Sequence, residues 1–250
     1  MDLELADRSF VVTAASAGLG RATAEGLLAE GARVVAVARR QQVLDDFAAA
    51  HPGRLVPLAA DLADPSTPER ACALAMERFG RLDGALVSVG GPPRGEVLGS
   101  SDQDWLDSFG SVFLPALRLA RAAVAVSPAV TLGFILSTSA KSPLATMAIS
   151  NGLRPGLAML VKQLGDEIAP RGGRTFGLMP GLIDTERLQV LRQGSPDPEQ
   201  ARRDQERSIP AGRLGRPDEL GSVATFLLSP RASYVNGSLV AVDGGSMRAL

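Results

Sequence analysis

The stretch "VVTAASAGLGRA", residues 11–22, sets an apolar run, a glycine-containing turn and the start of a helical pattern in immediate succession. Residues 10–13 read as a short buried strand. The helix that follows carries Ala22, Leu27 and Leu28 at apolar positions. Glycine at such a turn permits a tight path and close backbone approach, and the amides at a helix start are oriented to hold a pyrophosphate. Gly18 and Gly20 are the informative glycines. A glycine pair alone would also serve a simple tight turn; its place in the first strand–helix unit favours a nucleotide.

The alternation continues along the chain. Strands are expected at 33–38, 55–62, 85–88, 130–137, 175–179 and 239–243, with helices at 41–50, 65–79, 102–127, 149–168 and 217–228. The 102–127 helix is expected to break near Pro115. Strands alternating with helices imply parallel pairing through right-handed crossovers. The expected architecture is α/β: a Rossmann-like, doubly wound, mainly parallel seven-stranded sheet with helices on both faces. At 250 residues the chain suits one domain, 1–250. The polar interval at about 184–212, with a Gly/Pro break at 194–198, is a candidate substrate lid or an ordinary surface excursion.

Composition removes several function classes. Twenty-six Lys and Arg against 27 Asp and Glu give a net charge of −1, which favours neither nucleic acid nor an anionic membrane as partner. One cysteine, Cys72, and one histidine, His51, cannot build a Cys/His zinc cluster, so no metal site is expected. Cys72 lies in a helical apolar pattern and reads as packing, and a Ser/His/Asp hydrolase would depend on His51 in a loop-like segment. The start of the chain shows no basic segment followed by an apolar one, and no apolar run reaches about 18 residues; a cytoplasmic protein is expected.

The end of the second strand bears on the cofactor. A carboxylate there suits the ribose hydroxyls of NAD, whereas arginine accommodates the extra phosphate of NADP. "VAVARR" supplies Arg39 and Arg40 and no acid, so NADPH/NADP+ is expected over NADH/NAD+. Asp61, after the third strand, either accepts from an adenine amino group or caps the following turn.

Together these segments resemble the short-chain dehydrogenase/reductase superfamily over essentially the whole chain. "TAASAGLG", 13–20, is similar to the family's Thr-Gly-X3-Gly-X-Gly loop, with Ala14 in place of the first glycine. The resemblance assigns Thr13, Ser16, Ala17, Gly18, Leu19 and Gly20 to the cofactor, with Asp61 and Leu62 at the adenine. "VSVGG", 87–91, resembles the Asn-Asn-Ala-Gly turn but departs at Val87, Ser88 and Val89; Ser88 and Gly90 are its cofactor candidates. "MPGLIDT", 179–185, is similar to the segment beside the nicotinamide, which implies contacts from Pro180, Gly181, Ile183 and Thr185. The stretches 209–229 and 234–245 resemble the C-terminal signature, to which Tyr234 belongs.

The family mechanism uses Asn, Ser, Tyr and Lys, and this chain departs at three of the four. The corresponding positions hold Val112, Ser137, Ser150 and Arg154. "MAISNGLRPG", 147–156, thus resembles an atypical subgroup in which a Ser-Asn pair and an Arg replace the Tyr and Lys positions. The implied catalytic set is Ser137, Ser150, Asn151 and Arg154, with Arg154 also on the nicotinamide ribose. Arginine, with a pKa above about 12, is a poor proton donor, so water or a substrate hydroxyl would supply the proton.

That chemistry fits a phenolic or polycyclic aromatic ketone, and the subgroup includes biosynthetic ketoreductases such as those of angucyclinone polyketide pathways. Pro92, Trp105, Met147, Met179 and Leu188 are candidate substrate contacts, with Pro93 and Arg94 at the entrance. The expected partners are a small-molecule ketone and, by resemblance, further copies in a homodimer or homotetramer. The alternatives are a noncatalytic NADP(H)-binding sensor or scaffold, and a related lyase, dehydratase or isomerase.

Overall fold

In the computed structural model, which describes residues 1–249, seven strands form one sheet. They are β1 (Ser9–Thr13), β2 (Arg33–Ala38), β3 (Leu55–Ala59), β4 (Gly84–Val87), β5 (Thr131–Ile135), β6 (Arg174–Pro180) and β7 (Ser238–Val242). Their order is β3-β2-β1-β4-β5-β6-β7, and every neighbouring pair is parallel. The order reverses between β1 and β4. Such a switch point opens a crevice at the carboxyl ends of the strands, where ligands of open α/β sheets bind.

The helices are α1 (Gly18–Ala29), α2 (Gln41–Ala49), α3 (Thr67–Phe79), α4 (Asp102–Ser108), α5 (Leu114–Val126), α6 (Ala148–Ile168), α7 (Glu186–Gln193), α8 (Pro198–Arg207) and α9 (Pro217–Leu228). Successive strand side chains point to opposite faces, so each apolar run feeds two cores. Val11, Val35, Val37 and Val87 pack with Ala71 and Cys72 of α3, Leu119 of α5 and Leu157 and Val161 of α6. Val12, Val34, Ala36 and Leu86 pack with Leu27 and Leu28 of α1, Leu44 and Phe47 of α2 and Leu220 and Ala224 of α9. Both faces are covered, which is why the strands read as unbroken hydrophobic runs. Burial pushes the Cys72 thiol up to about 12, leaving it a neutral packing group.

The expected break near Pro115 takes another form. α4 runs into a five-residue π-helical segment, Phe109–Phe113, and then into α5, with Leu114 N–H donating to Phe109 O. Pro115 lies at the start of α5, where a missing amide is tolerated. The irregularity falls on the segment holding Val112, which is buried in the core. Length and composition alone would let the helix 102–126 cross a membrane. Val112, Ala116, Leu119, Ala120 and Ala123 are instead packed in the core.

The polar interval after β6 folds as two helices. Thr185 caps α7 by accepting from Leu188 N, and Asp197 caps α8 by accepting from Gln200 N. Leu188 joins Ile209 and Leu214 in a small apolar cluster that ties the interval to its own exit.

Candidate active site

The turn between β1 and α1 is shaped by two left-handed residues, Ala14 (φ 50°) and Gly18 (φ 57°). A Cβ on Gly20 would lie 2.5 Å from Thr13 O and 2.7 Å from Ala14 O, so only glycine lets the helix start this close to the strand. Ala17, the residue before α1, is extended, no side chain caps the helix, and its first turn holds no acid. The first amides of α1 therefore point outward unclaimed at the positive end of the helix dipole.

Several residues around this turn have different work from that expected. The Thr13 hydroxyl donates to Ser88 O (2.6 Å) and accepts from Ser88 N (2.8 Å). Both residues are buried, so they brace the ends of β1 and β4 and are not available to a ligand. The Leu19 side chain packs against the second core. Gly181 allows the ends of β6 and β7 to close, since a Cβ there would come within 2.7 Å of Asp243 Cα. The Ile183 side chain is buried in the second core, which is compatible with the backbone contact expected of it. Asp61 Oδ1 accepts from Ala63 N (2.9 Å), the turn-capping alternative, with half-buried Leu62 beside it.

Others stand open. Gly90 is exposed after β4, with nothing near its Cβ position. Half-buried Pro180 ends β6, and Thr185 lies against the nucleotide turn, its Cγ2 3.4 Å from the Cβ position of Gly18. At the end of β2, Arg39 and Arg40 are exposed. Arg40 donates through Nε to Ser16 Oγ (3.2 Å) and through Nη2 to Ser16 O (3.1 Å), and its Nη1 pairs with Glu186 at 3.2 Å.

The expected catalytic set divides in two. Ser137, just past β5, is half-buried, and its Oγ accepts from Ser139 N (3.1 Å). That bond uses a lone pair, so the hydroxyl proton remains to be given. Arg154 is 5% exposed and donates through Nη1 to Ile135 O (2.9 Å), two residues before Ser137. Its Nε is buried without a partner. Burial pushes its guanidinium down to about 10, with the nearby Arg187 charge adding to the effect, so it remains a cation at neutral pH.

Ser150 is a correction, and Asn151, expected beside it, is engaged with the backbone. Ser150 is buried, its Oγ 3.0 Å from that of Ser139, a hydroxyl equally closed to solvent. Asn151 accepts from Leu144 N (3.0 Å) and donates to Leu144 O (2.9 Å), clamping the segment before α6. One N–H of Nδ2 is left over, on a side chain anchored at both of its polar atoms. Tyr234 is fully exposed before β7, at the opposite end of the parallel strands from Ser137, and so cannot stand in as the acid.

The substrate candidates divide similarly. Met179 lies in the first core and Leu188 in the small cluster, which removes both as cleft walls. Trp105 covers Gly152 of α6, where a Cβ would come within 2.5 Å of its ring, so packing accounts for it. Met147 is half-buried at the start of α6, paired by a backbone bridge with Gly95. Pro92 is buried in the loop after β4. That loop is held by Arg187 of α7, whose Nη2 donates to Gly91 O (3.2 Å) and, more weakly, to Pro92 O (3.5 Å). Sequence reasoning passed over Arg187 and Ser139. The hydroxyl-rich "STS" after β5 was a signal for the second; nothing distinguished Arg187 from other arginines of the polar interval.

A family model described as enoyl-(acyl carrier protein) reductase matches residues 13–247. The chain is a short-chain dehydrogenase/reductase. It is 32% identical to "Dehydrogenase/reductase SDR family member 2, mitochondrial" of Homo sapiens, covering 98% of this chain and 88% of that one. Among solved structures, this short-chain dehydrogenase/reductase is similar to L-sorbose reductase of Gluconobacter frateurii, complexed with NADPH and L-sorbose. The two are 28% identical over the full length of both, with a TM-score of 0.93. It is also similar to YwfH, an NADPH-dependent reductase involved in bacilysin biosynthesis, at 25% identity, 97% and 99% coverage and a TM-score of 0.90.

Proposed function

We propose that this protein reduces a small-molecule ketone to an alcohol with NADPH. The observation that carries the reading is that the carboxyl ends of the strands bear both the unclaimed α1 amides beside Arg39 and Arg40 and, past β5, the proton of Ser137 two residues from the carbonyl that holds the buried cation of Arg154. The residues suit NADPH: Gly20 allows close approach, the helix start takes the pyrophosphate, and two arginines with no acid after β2 take the ribose phosphate. Arg154 Nε is buried without a partner, and reaching the nicotinamide ribose would require its side chain to turn toward the cleft. The NADPH complex of L-sorbose reductase supports the same assignment.

Bound NADPH supplies a hydride to the carbonyl carbon. Ser137 donates a hydrogen bond to the carbonyl oxygen, and the Arg154 charge stabilises the negative charge that grows there. Water, or an acidic hydroxyl of the substrate, then delivers the proton to that oxygen. A polycyclic aromatic or polyketide ketone supplies such a hydroxyl from within, which is what favours that substrate class. Assembly as a homodimer or homotetramer belongs to the same reading.

The test is NADPH oxidation with a panel of aromatic and polyketide ketones, the product identified by mass as the added hydrogen pair. Tight NADPH binding with no ketone turned over would sink the reading. Ser137→Ala is expected to lower kcat about 100-fold with little change in KM. Ser150→Ala is expected to hold kcat within about threefold while costing roughly 1–2 kcal/mol of stability, because the Ser139 hydroxyl loses its buried partner. Steady-state kinetics and denaturant melts separate the two.

Glu186→Gln is expected to tighten NADP+ binding about two- to fivefold, by releasing exposed Arg40 and removing a competing negative charge. Fluorescence titration against NAD+, whose affinity should move less, checks it.

A further inference from the structure

The candidate site holds more positive charge than the proposed reduction calls for. Arg187 extends from the first turn of α7 across the cleft and lies flat on Gly91, where a Cβ would fall 2.7 Å from its Nη1. Only Nη2 meets protein acceptors, so Nε and Nη1 are unengaged among the described residues. Arg94 follows in the same loop; it and Arg187 are exposed, whereas Arg154 is buried. The arginines are close enough to act on one another: Arg187 disfavours the charge of Arg154, and Arg94 does the same to Arg187, on which desolvation weighs more heavily. Glu186, the adjacent acid, is turned to Arg40, and none of the three arginines takes part in an ion pair among the described residues.

The supports of this cluster are rigid. Pro92 and Pro93 stiffen the loop. Gly95 N donates to Thr146 O (2.8 Å) and Ala148 N to Gly95 O (3.2 Å), fixing the loop to the start of α6. Arg187, seated on Gly91 with two unengaged donors and no ion-pair partner among the described residues, offers an anion site to which exposed Arg94 adds charge. The phosphates of a dinucleotide have their own donors at α1 and Arg40. Arg187 stands instead over the loop after β4, near enough to Arg154 to oppose its charge.

We infer that Arg187, assisted by Arg94, selects a ketone that carries a carboxylate, gripping it with the unengaged edge of the guanidinium and holding the carbonyl over Ser137. This rests on the proposed reductase function and names the substrate class it serves. Closing α7 onto the loop through a bound carboxylate would make the interval after β6 part of substrate recognition.

The experiment is calorimetry on the full chain loaded with NADP+, using matched probes: acetate and acetamide, benzoate and benzamide, phenylacetate and phenylacetamide. At least one carboxylate is expected to bind about tenfold or more tightly than its amide. Arg187→Gln should reduce that preference to about twofold or less, and Arg187→Lys should recover part of it, since charge returns without the planar fork. NADP+ affinity should be unchanged in both variants. No carboxylate preference in any pair would overturn the inference alone, leaving reduction standing. A loss of NADP+ affinity in Arg187→Gln matching the loss for the carboxylate would also overturn it, by placing Arg187 on the cofactor. Failure of NADP+ to bind the unmodified protein would overturn the reductase reading and this inference together.

Discussion

Gly20→Ala should abolish NADP+ binding and lower thermal stability together. The added methyl group would stand 2.5 Å from Thr13 O and 2.7 Å from Ala14 O. Both obstacles are backbone atoms of a turn tied to β2 through Ala15 N–H to Val37 O and to β4 through Thr13 and Ser88, so nothing flexible can yield. Overpacking against such surroundings costs about 3 kcal/mol, roughly 10 °C in Tm for a domain of this size. The helix start must also move off the strand end, taking its amides with it. An affinity loss of about 100-fold or more, read by fluorescence titration beside a calorimetric melt, is the expected result. Unaltered affinity would show that the turn is not the pyrophosphate site.

Arg154→Met is expected to do the reverse, removing activity while sparing the fold. Arg154 is a buried cation with one neutral acceptor, Ile135 O, and an unpartnered Nε. Replacing a lone buried charge with an apolar chain of similar length relieves desolvation, which offsets the carbonyl left without its donor, so stability should change by no more than about 1–2 kcal/mol. The charge that favours an alkoxide beside Ser137 is lost, and kcat should fall about 1000-fold, equivalent to about 4 kcal/mol in the barrier. Denaturant titration and steady-state kinetics measure the halves independently. A variant that keeps its rate would remove Arg154 from the chemistry.

The sheet was readable from sequence because its determinants are local and periodic. Alternating valines in β1 and β2 feed opposite cores, and Gly18 and Gly20 mark the turn that the first crossover needs. The exposed place of Arg39 and Arg40 was readable for the same reason, since the end of a strand is a defined place. Side-chain direction is not local. Ser150 and Asn151 occupy positions where a catalytic role was expected, yet one turns inward to Ser139 and the other to Leu144, partners eleven and seven residues away. Their hydroxyl and amide look equally reactive in a string of letters. Arg187 was missed for the opposite reason: it belongs to a polar helix rich in charge, and only its reach to Gly91, 96 residues back in the chain, sets it apart.

Ala14 stands where the family's loop has glycine, and it keeps the left-handed conformation, φ 50°. For a residue with a side chain that conformation costs about 1–2 kcal/mol. The chain has therefore preserved the path of its backbone while giving up the residue that makes the path easy. What descends through such a turn is a contour, and relatives compared letter by letter at this position will look more distant than their main chains are.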